Sequence, residues 1–191
     1  MIKDTLKKDD WGIVLDFLSK GHYRMSRAQP AAQLLGEKYF SLLEVIVRED
    51  VELKQGERVY IGDKKRDKVK YIANRMKVSE LSAVAKDELE KTIENIITAN
   101  PAQFLEFFNN CGSLTPRQHQ LELLPGIGKK HLWAIVDERK KKLFDSFEEI
   151  RERVPLIPDP KKMFVKRILE EMEDKDRYHV FVLKTAEVRE R

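Results

Sequence analysis

The chain has 191 residues, of which 41% are hydrophobic, so it can build a core and fold as one large domain or two small ones. Its single cysteine excludes an internal disulfide framework, and its four histidines lack the spacing of metal ligands, so no metal site is expected. No apolar run approaches the roughly 18 residues of a membrane span, and the first residues open no signal peptide. We therefore expect a cytoplasmic protein.

The net charge is +4, and the charge is unevenly distributed. Basic residues are in excess over residues 1–78 and 117–142, whereas acidic residues are in excess over residues 79–116. Two basic zones separated by an acidic spacer suggest a polyanion that is contacted at two places. For the N-terminal zone, a solvated lysine-rich surface is the alternative interpretation.

Residues 1–78 are predicted to form a small β-barrel. Short runs rich in β-branched and aromatic residues alternate there with glycine-marked turns, which is typical of a strongly curved sheet. We expect its shape to resemble an oligonucleotide/oligosaccharide-binding barrel. A basic segment, residues 64–72, follows the last of these runs. The predicted strands are residues 11–18, 31–35, 39–47 and 58–62.

From about Ser82 the apolar residues recur at spacings of three and four, which predicts an all-α domain over residues 79–175. Capping residues, several of them followed by proline, mark where successive helices begin. These signals are Asn100-Pro101, Thr115-Pro116, Ser146-Phe147-Glu148-Glu149 and Asp159-Pro160.

Residues 177–184 are β-branched and aromatic, which predicts a strand after the last helix. Because a lone strand needs a partner, we expect residues 176–191 to return to the N-terminal sheet and tie the two domains together. Dimerisation through this strand is the alternative. The predicted fold class is therefore α+β.

The stretch Leu124-Pro125-Gly126-Ile127-Gly128-Lys129-Lys130 lies between two apolar runs, residues 114–124 and 132–136. This order predicts a helix, a tight hairpin and a second helix that ends near Leu143. Glycine permits positive φ and close approach to a ligand, and the free N–H groups of the second helix point out of the hairpin. With the helix dipole and two lysines beside it, the hairpin is a candidate phosphate site. A glycine-containing turn without a ligand is the alternative.

The hydrophobic–Pro-Gly-Ile-Gly-x-Lys core of this stretch resembles a helix-hairpin-helix motif, whose family binds nucleic-acid backbones without reading sequence. The sequence departs from the family at Leu132, where a small residue usually lets the two helices pack closely. The expected contacts are the backbone N–H groups of Gly126, Ile127 and Gly128. The resemblance also implies that loop carbonyls can hold a monovalent cation; no other cofactor is expected.

Val154-Pro155-Leu156-Ile157-Pro158 aligns with the first hairpin as a second copy. Families with tandem helix-hairpin-helix units join them by a short helix, such as the one predicted at Ser146, in a pseudo-two-fold five-helix domain. Both glycines are replaced here, by Leu156 and Pro158. Proline has no N–H to offer, and Leu156 is expected to resist positive φ. We therefore expect a structural hairpin, buried against the first.

The whole arrangement resembles a small group of archaeal proteins of unknown function that are predicted to bind nucleic acid. It implies a non-sequence-specific nucleic-acid-binding protein, with RNA preferred over DNA, whose backbone contacts position it without reading bases. The alternative is a protein-interaction module in a transcription, translation or repair assembly. The candidate binding residues are Pro125, Gly126, Ile127, Gly128, Lys129, Lys130 and His131 in the hairpin, and Arg58, Lys64, Lys65 and Arg66 in the barrel.

No catalytic constellation is evident in the sequence. It contains no Ser/His/Asp set, no Gly-x-x-x-x-Gly-Lys loop and no paired-carboxylate pattern. Base-excision glycosylases with helix-hairpin-helix units carry a catalytic aspartate after the second helix, and Asp145 lies in the corresponding region. It is better explained as a helix-start residue beside Ser146. We expect no enzymatic activity.

Overall fold

The computed structural model of the protein describes residues 8–21 and 29–183. The chain divides into two units, one of residues 1–92 with residues 170–191, and one of residues 93–169. Five antiparallel strands form the sheet of the first unit, and helices dominate the second. The protein is therefore of the mixed α+β class, as the sequence predicts.

The sheet of the first unit contains β1 (Trp11–Leu18), β2 (Ala31–Gly36), β3 (Leu42–Val47), β4 (Arg58–Tyr60) and β5 (Val69–Arg75). Their order is β4-β1-β2-β3-β5, and every neighbouring pair is antiparallel. The register shifts once between β1 and β2 and twice between β3 and β5, and such bulges increase the local twist. The sheet therefore curls.

β4 and β5 lie at opposite edges of the sheet and do not pair with each other. The predicted barrel is thus observed as a half-barrel. β1 to β4 fall where the alternation of apolar runs and turns predicts strands. The sequence pattern does not indicate β5, because every residue of this strand after Val69 is exposed and no inward face can be recognised.

β2 and β3 are buried along their whole length, as expected for the centre of the sheet. The helix that follows the sheet, α1 (Ala83–Ala99), is anchored to it by Ser82. The Ser82 hydroxyl donates to the Asp16 carboxylate at 2.6 Å, and the Ser82 N–H donates to Gln33 Oε1 at 2.9 Å. The aliphatic core of the sheet consists of Val14, Ala32, Leu34, Leu43, Val45, Val47, Leu53, Val59, Ile61 and Val69.

The second unit is built around one aromatic side chain. Phe164 is fully buried, and its ring lies 4.8 Å from that of Phe104, 5.4 Å from that of Phe108 and 6.0 Å from that of Phe107, measured between centroids. Phe147 completes the cluster at 6.1 Å. These rings belong to α2 (Ala102–Asn110), α4 (Phe147–Arg153) and α5 (Pro160–Met172), and the remaining helix is α3 (Lys129–Lys141).

The predicted helix over residues 114–124 is not formed, and that prediction is wrong. Residues Ser113–Thr115 and Gln118–His119 pair as the short strands β6 and β7, and Gln120–Leu123 form a single 3₁₀ turn. Pro116 lies in the tight turn between the two strands, a position that suits its fixed φ. The apolar spacing has another cause, since the 3₁₀ turn alone buries Leu121 and Leu123.

Two of the predicted helix starts are formed as expected. The Ser146 hydroxyl accepts from the N–H of Glu149 at 3.1 Å, and the Asp159 carboxylate accepts from the N–H of Lys161 at 2.9 Å. At α2 the capping position is occupied by Pro101 rather than Asn100, and no side chain caps it.

The predicted C-terminal strand is absent from the described residues up to Leu183; Lys184, its last predicted residue, lies outside them. The Glu171 carboxylate accepts hydrogen bonds from the N–H groups of three consecutive residues, 180–182, at 2.9–3.0 Å. Three successive N–H groups that converge on one oxygen bend the chain, which is incompatible with a strand. One backbone bond does reach the N-terminal part, from the N–H of Leu183 to the carbonyl of Tyr39 at 3.3 Å.

Candidate functional site

The predicted hairpin is a tight turn that opens α3. The N–H of Ile127 donates to the carbonyl of Leu124 at 3.0 Å, and Gly126 has a φ of 92°. Proline at the second position and positive φ at the third define a type II turn, which explains the sequence Leu124-Pro125-Gly126-Ile127. The Ile127 N–H is therefore used within the turn and is not available to a phosphate, contrary to the prediction.

The start of α3 offers other N–H groups. Its capping residue is Gly128, which has no side chain to cap the helix, and the first backbone bond of the helix runs from Leu132 to Gly128. No described residue accepts from the N–H groups of Lys129, Lys130 or His131. These groups carry the positive end of the helix dipole. Gly128 is exposed and has φ of −96°, so its role here is to leave space, not to adopt positive φ.

The two hairpin lysines differ in their contacts. Lys129 Nζ lies 2.9 Å from the carboxylate of Glu122 and 3.3 Å from the carbonyl of Arg117, so its charge is directed back toward the segment before the turn. The N–H of His119 and then the ammonium of Lys129 hold the pKa of Glu122 below its usual value. Lys130 is exposed and forms no ion pair within the described chain.

His131 and His119 stabilise the segment. His131 Nδ1 lies 3.1 Å from the carbonyl of Gly126, and since a carbonyl only accepts, this nitrogen carries the proton. His119 Nδ1 instead accepts from the N–H of Leu121 at 3.1 Å, and burial, then the charge of Arg139, lower the pKa of this imidazole. His119 is therefore a neutral cap of the 3₁₀ turn.

The monovalent cation that the resemblance implies stays a prediction. The carbonyl of Leu124 accepts from Ile127, and that of Gly126 from His131. Each of these oxygens keeps a second lone pair.

One exposed aromatic residue beside the hairpin was not among the predicted site residues. Trp133 is 60% exposed on α3, three residues after Lys130, a spacing that places both side chains on one face of the helix. The sequence pattern alone assigns Trp133 to the apolar run 132–136. Its neighbours Leu132 and Ile135 are the buried members of that run, and the helical period would have separated them from Trp133.

The second hairpin repeats the turn but not the glycine. The N–H of Ile157 donates to the carbonyl of Val154 at 3.4 Å, and Leu156 has a φ of 59°. Leu156 thus adopts the conformation that it was expected to resist, and it is 86% exposed, so this hairpin is not buried as predicted. The two hairpins are nevertheless close, because a Cβ at Gly126 would lie 2.9 Å from Cγ of Pro158.

Leu156→Gly is expected to raise the free energy of unfolding by about 0.5–1 kcal/mol, because relief of positive φ outweighs the added flexibility of the unfolded chain. Urea denaturation followed by circular dichroism measures the change. Leu143→Gly is the control, since Leu143 is 52% exposed and has no positive φ; this variant should be neutral or less stable. A loss of stability in Leu156→Gly would show that the positive φ of Leu156 does not strain the folded protein.

Of the four predicted binding residues of the first unit, the two arginines form contacts with neighbouring groups and the two lysines are exposed. Arg58 forms a bidentate ion pair with Glu37 at 2.6 and 2.9 Å, and its guanidinium lies 3.9 Å from the ring centre of Trp11. The Nε–H of Arg66 donates to the carbonyl of Gly62 at 2.8 Å. The remaining two residues, Lys64 and Lys65, are exposed.

Asp145, the position that corresponds to the glycosylase aspartate, is an exposed residue at the start of α4. Its carboxylate lies 2.9 Å from Lys142 Nζ, and its N–H donates to Glu149. Over residues 8–21 and 29–183, no group of three or more potential metal ligands comes together. None of the helices in the same ranges has the length and apolarity that crossing a bilayer requires.

The fold and this site define an α+β protein in which a curled sheet is combined with a helical unit that carries two Pro-containing turns. The chain belongs to the family described as "Protein of unknown function (DUF655)", whose model matches residues 8–183. It is similar to an uncharacterized protein of Methanocaldococcus jannaschii, 40% identical over 178 residues that cover 92% of this chain and 81% of the relative.

A crystal structure from the same family, of a protein from Archaeoglobus fulgidus, has the same fold. The two chains are 43% identical with a TM-score of 0.83, over 92% of this chain and all of the other. The sequence-based expectation of an uncharacterised family with archaeal members is therefore correct.

Proposed function

We propose that this protein binds the phosphate backbone of nucleic acid without reading sequence, through the residues that open α3. The proposal is supported above all by one observation: a helix of 13 residues begins at an exposed glycine with no capping side chain and with Lys130 unpaired beside it, within the described chain. A helix start of this kind suits a phosphate oxygen. Lys130 adds a mobile positive charge.

The N–H groups of Lys129, Lys130 and His131 hold one phosphate, and the Lys130 ammonium contacts it or the next one. Trp133 lies on the same helix face, where its ring can stack on an unpaired base. These contacts carry no sequence information, because phosphate is the same in every nucleotide. The side-chain ammonium of Lys129 and the N–H of Ile127 take no part, since Glu122 engages the first and the carbonyl of Leu124 the second.

A helix-hairpin-helix reading of this segment is part of the proposal. Its support is the repeated turn at residues 124–127 and 154–157, each followed by a helix, although a 3₁₀ turn takes the place of the helix before the first turn. The half-barrel, in the manner of an oligonucleotide-binding sheet, adds a second contact through Lys64 and Lys65. Arg58 is left out because Glu37 neutralises it. An exposed stacking ring favours single strands, and RNA remains our preference from the resemblance.

Binding to short labelled single- and double-stranded DNA and RNA tests the proposal. Near physiological salt, dissociation constants of about 10⁻⁶ to 10⁻⁴ M are expected for unrelated sequences alike. Between about 50 and 200 mM salt, contact with roughly two phosphates at the start of α3 should contribute about −2 to the log–log slope on duplex DNA, and Lys130→Glu should reduce the slope by about 1.

Lys166→Glu is the matched control. Lys166 is an exposed lysine of the 13-residue helix α5 in the same unit, so its replacement makes the same change of net charge at a different place. This variant should bind like the wild type within about threefold, whereas Lys130→Glu weakens binding by about tenfold. The proposal fails if the wild type binds none of the four nucleic acids at low salt, or if both variants lose affinity equally.

A protein-interaction module is the second candidate, and Leu156 is the observation that favours it. Leu156 is 86% exposed at a φ of 59°, and strained backbone of this kind is concentrated at functional surfaces. Leu156→Asp distinguishes the two functions. It should leave nucleic-acid binding unchanged within about threefold if the α3 site acts alone, whereas it would abolish binding to a protein partner.

A further inference from the structure

The edge strand β5 is paired on one side only. It pairs with β3, and the N–H and C=O groups on its outer side have no backbone partner within the described residues. A row of such groups is a template for a further strand. β5 is seven residues long, contains no proline or glycine, and is exposed at every residue after Val69. Another strand can therefore reach this edge.

Two adjacent residues of β5 carry exposed apolar side chains on opposite faces of the sheet. Tyr71 is 44% exposed and Ile72 is 36% exposed. Ile72 lies opposite Val45, a residue of the aliphatic core, and so is on the inner face of the sheet. Tyr71 lies opposite Ile46 and is on the outer face. An added strand would find an apolar contact on each of its faces.

A cavity of about 230 Å³ lies beside Ile72, on the open side of the half-barrel. It is lined by Ile72 and Arg75 of β5 and by Ile61 and Asp63, which follow β4, so it lies between the two edge strands of the sheet. Leu43 extends its apolar lining. In strand addition, a pocket beside the edge receives a side chain of the added strand and selects its type.

The charge of this edge favours an acidic strand. Residues 64–77 contain seven basic residues and one acidic residue. Lys68 is paired with Glu57, but Lys70 and Arg75 form no ion pair within the described part of the chain. Opposite charges in facing positions of two strands stabilise their pairing, and like charges destabilise it. The partner strand that suits this edge therefore carries carboxylates.

Two other occupants fit the edge less well. A second copy of the chain would bring its own basic segment against this one. The pairing of β3 with β5 also shifts register twice, and bulges and lysines are devices that protect edge strands from pairing with further copies. Nucleic acid is attracted by the same charges, but it has no ladder of backbone N–H and C=O groups to pair with a strand. An acidic protein segment meets both requirements.

We propose that β5 is the docking site of an extended acidic segment of a partner protein, which adds to the sheet as a further antiparallel or parallel strand. The backbone of this segment pairs with the outer side of β5, and its carboxylates face Lys70 and Arg75. One of its aliphatic side chains enters the cavity beside Ile72. The docking site belongs to the first unit and is independent of the function proposed for α3.

Fluorescence anisotropy of a labelled peptide, titrated with the full chain, tests this site. The probe is a capped heptapeptide of alternating glutamate and valine, Glu-Val-Glu-Val-Glu-Val-Glu, which matches the length of β5. The same peptide with N-methyl groups on two consecutive central residues keeps its charge but loses N–H donors on both of its edges. It should bind at least about tenfold more weakly. A peptide with lysine in place of each glutamate should also bind at least about tenfold more weakly.

The double variant Lys70→Glu/Arg75→Glu reverses the charge of the edge. It should weaken binding of the glutamate peptide at least about tenfold and strengthen binding of the lysine peptide. Lys20→Glu/Lys91→Glu is the matched control, because both lysines are exposed, lie outside β5 and the cavity, and change the net charge by the same amount. This control should change either affinity less than about threefold.

The docking site is refuted if the glutamate peptide does not bind the wild type, or if its N-methylated form binds equally well, since charge attraction alone would then explain binding. Equal losses in the two double variants would refute it as well. A wild-type dimer that the peptide dissociates would assign the edge to a second copy instead. Lys130→Glu should bind the peptide like the wild type, so this site and the α3 site can fail separately.

Discussion

Phe164→Ala is expected to lower the free energy of unfolding of the second unit by about 3–5 kcal/mol. Phe164 is fully buried, and four other phenylalanine rings surround it at centroid distances of 4.8–6.1 Å. Truncation removes the transfer free energy of one ring, leaves a cavity and also breaks the edge-to-face contacts. Because α2, α4 and α5 each contribute a ring to this close-packed cluster, the cavity cannot close without moving a helix.

Urea denaturation followed by the helical circular dichroism signal measures the loss. Phe164→Leu keeps an apolar side chain of intermediate size and should cost about half as much. Leu143→Ala, at a position that is 52% exposed, should change the free energy by no more than about 0.5 kcal/mol. A loss below about 1 kcal/mol in Phe164→Ala would show that the helices do not depend on this ring.

The sheet could be predicted from sequence because its signals are local. β-branched and aromatic runs bounded by glycine turns place β1 to β4 to within a few residues. Whether the sheet closes into a barrel could not be predicted from such local signals. It depends on which edges pair, and β4 has three residues that pair with β1 alone. β5 was missed because an exposed edge strand shows no alternation.

The helical unit shows where periodicity misleads. Leucines over residues 114–124 recur at helical spacing, yet the chain forms two short strands and a 3₁₀ turn there. Thr115-Pro116 predicts the start of a helix, although the fixed φ of proline also suits a tight turn. The two other prolines of this kind do start helices: at Asp159 the carboxylate accepts from the first turn, and at Asn100-Pro101 the helix forms without a capping side chain.

The candidate site was predictable only in part, because part of it depends on the segment before the turn, where the predicted helix is not formed. Proline followed by glycine specifies the turn at residues 124–127, and the helix after it follows from composition. The ion pair between Lys129 and Glu122 could not be predicted, since it depends on the 3₁₀ turn that replaces the expected helix.

Gly126→Val is expected to lower the free energy of unfolding by about 2–4 kcal/mol, as the combined cost of strain and overpacking. A valine at φ 92° lies outside the conformations open to a β-branched residue. Its Cβ would also lie 2.9 Å from Cγ of Pro158. Below the unfolding temperature of the variant, nucleic-acid binding should fall at least about tenfold, since a displaced turn no longer directs the start of α3 outward.

Gly128→Ala is the internal control for stability, at the residue that follows the turn. Gly128 has negative φ and nothing within 4 Å of an added Cβ, so this variant should keep the stability of the wild type. Leu156 shows why the two glycines differ. A side chain at positive φ is tolerated there because it projects into solvent. At Gly126 the same conformation would direct the side chain against Pro158 of the second hairpin. This steric clash is the reason for the larger loss of stability expected for Gly126→Val. Equal stability of Gly126→Val and Gly128→Ala would refute this account.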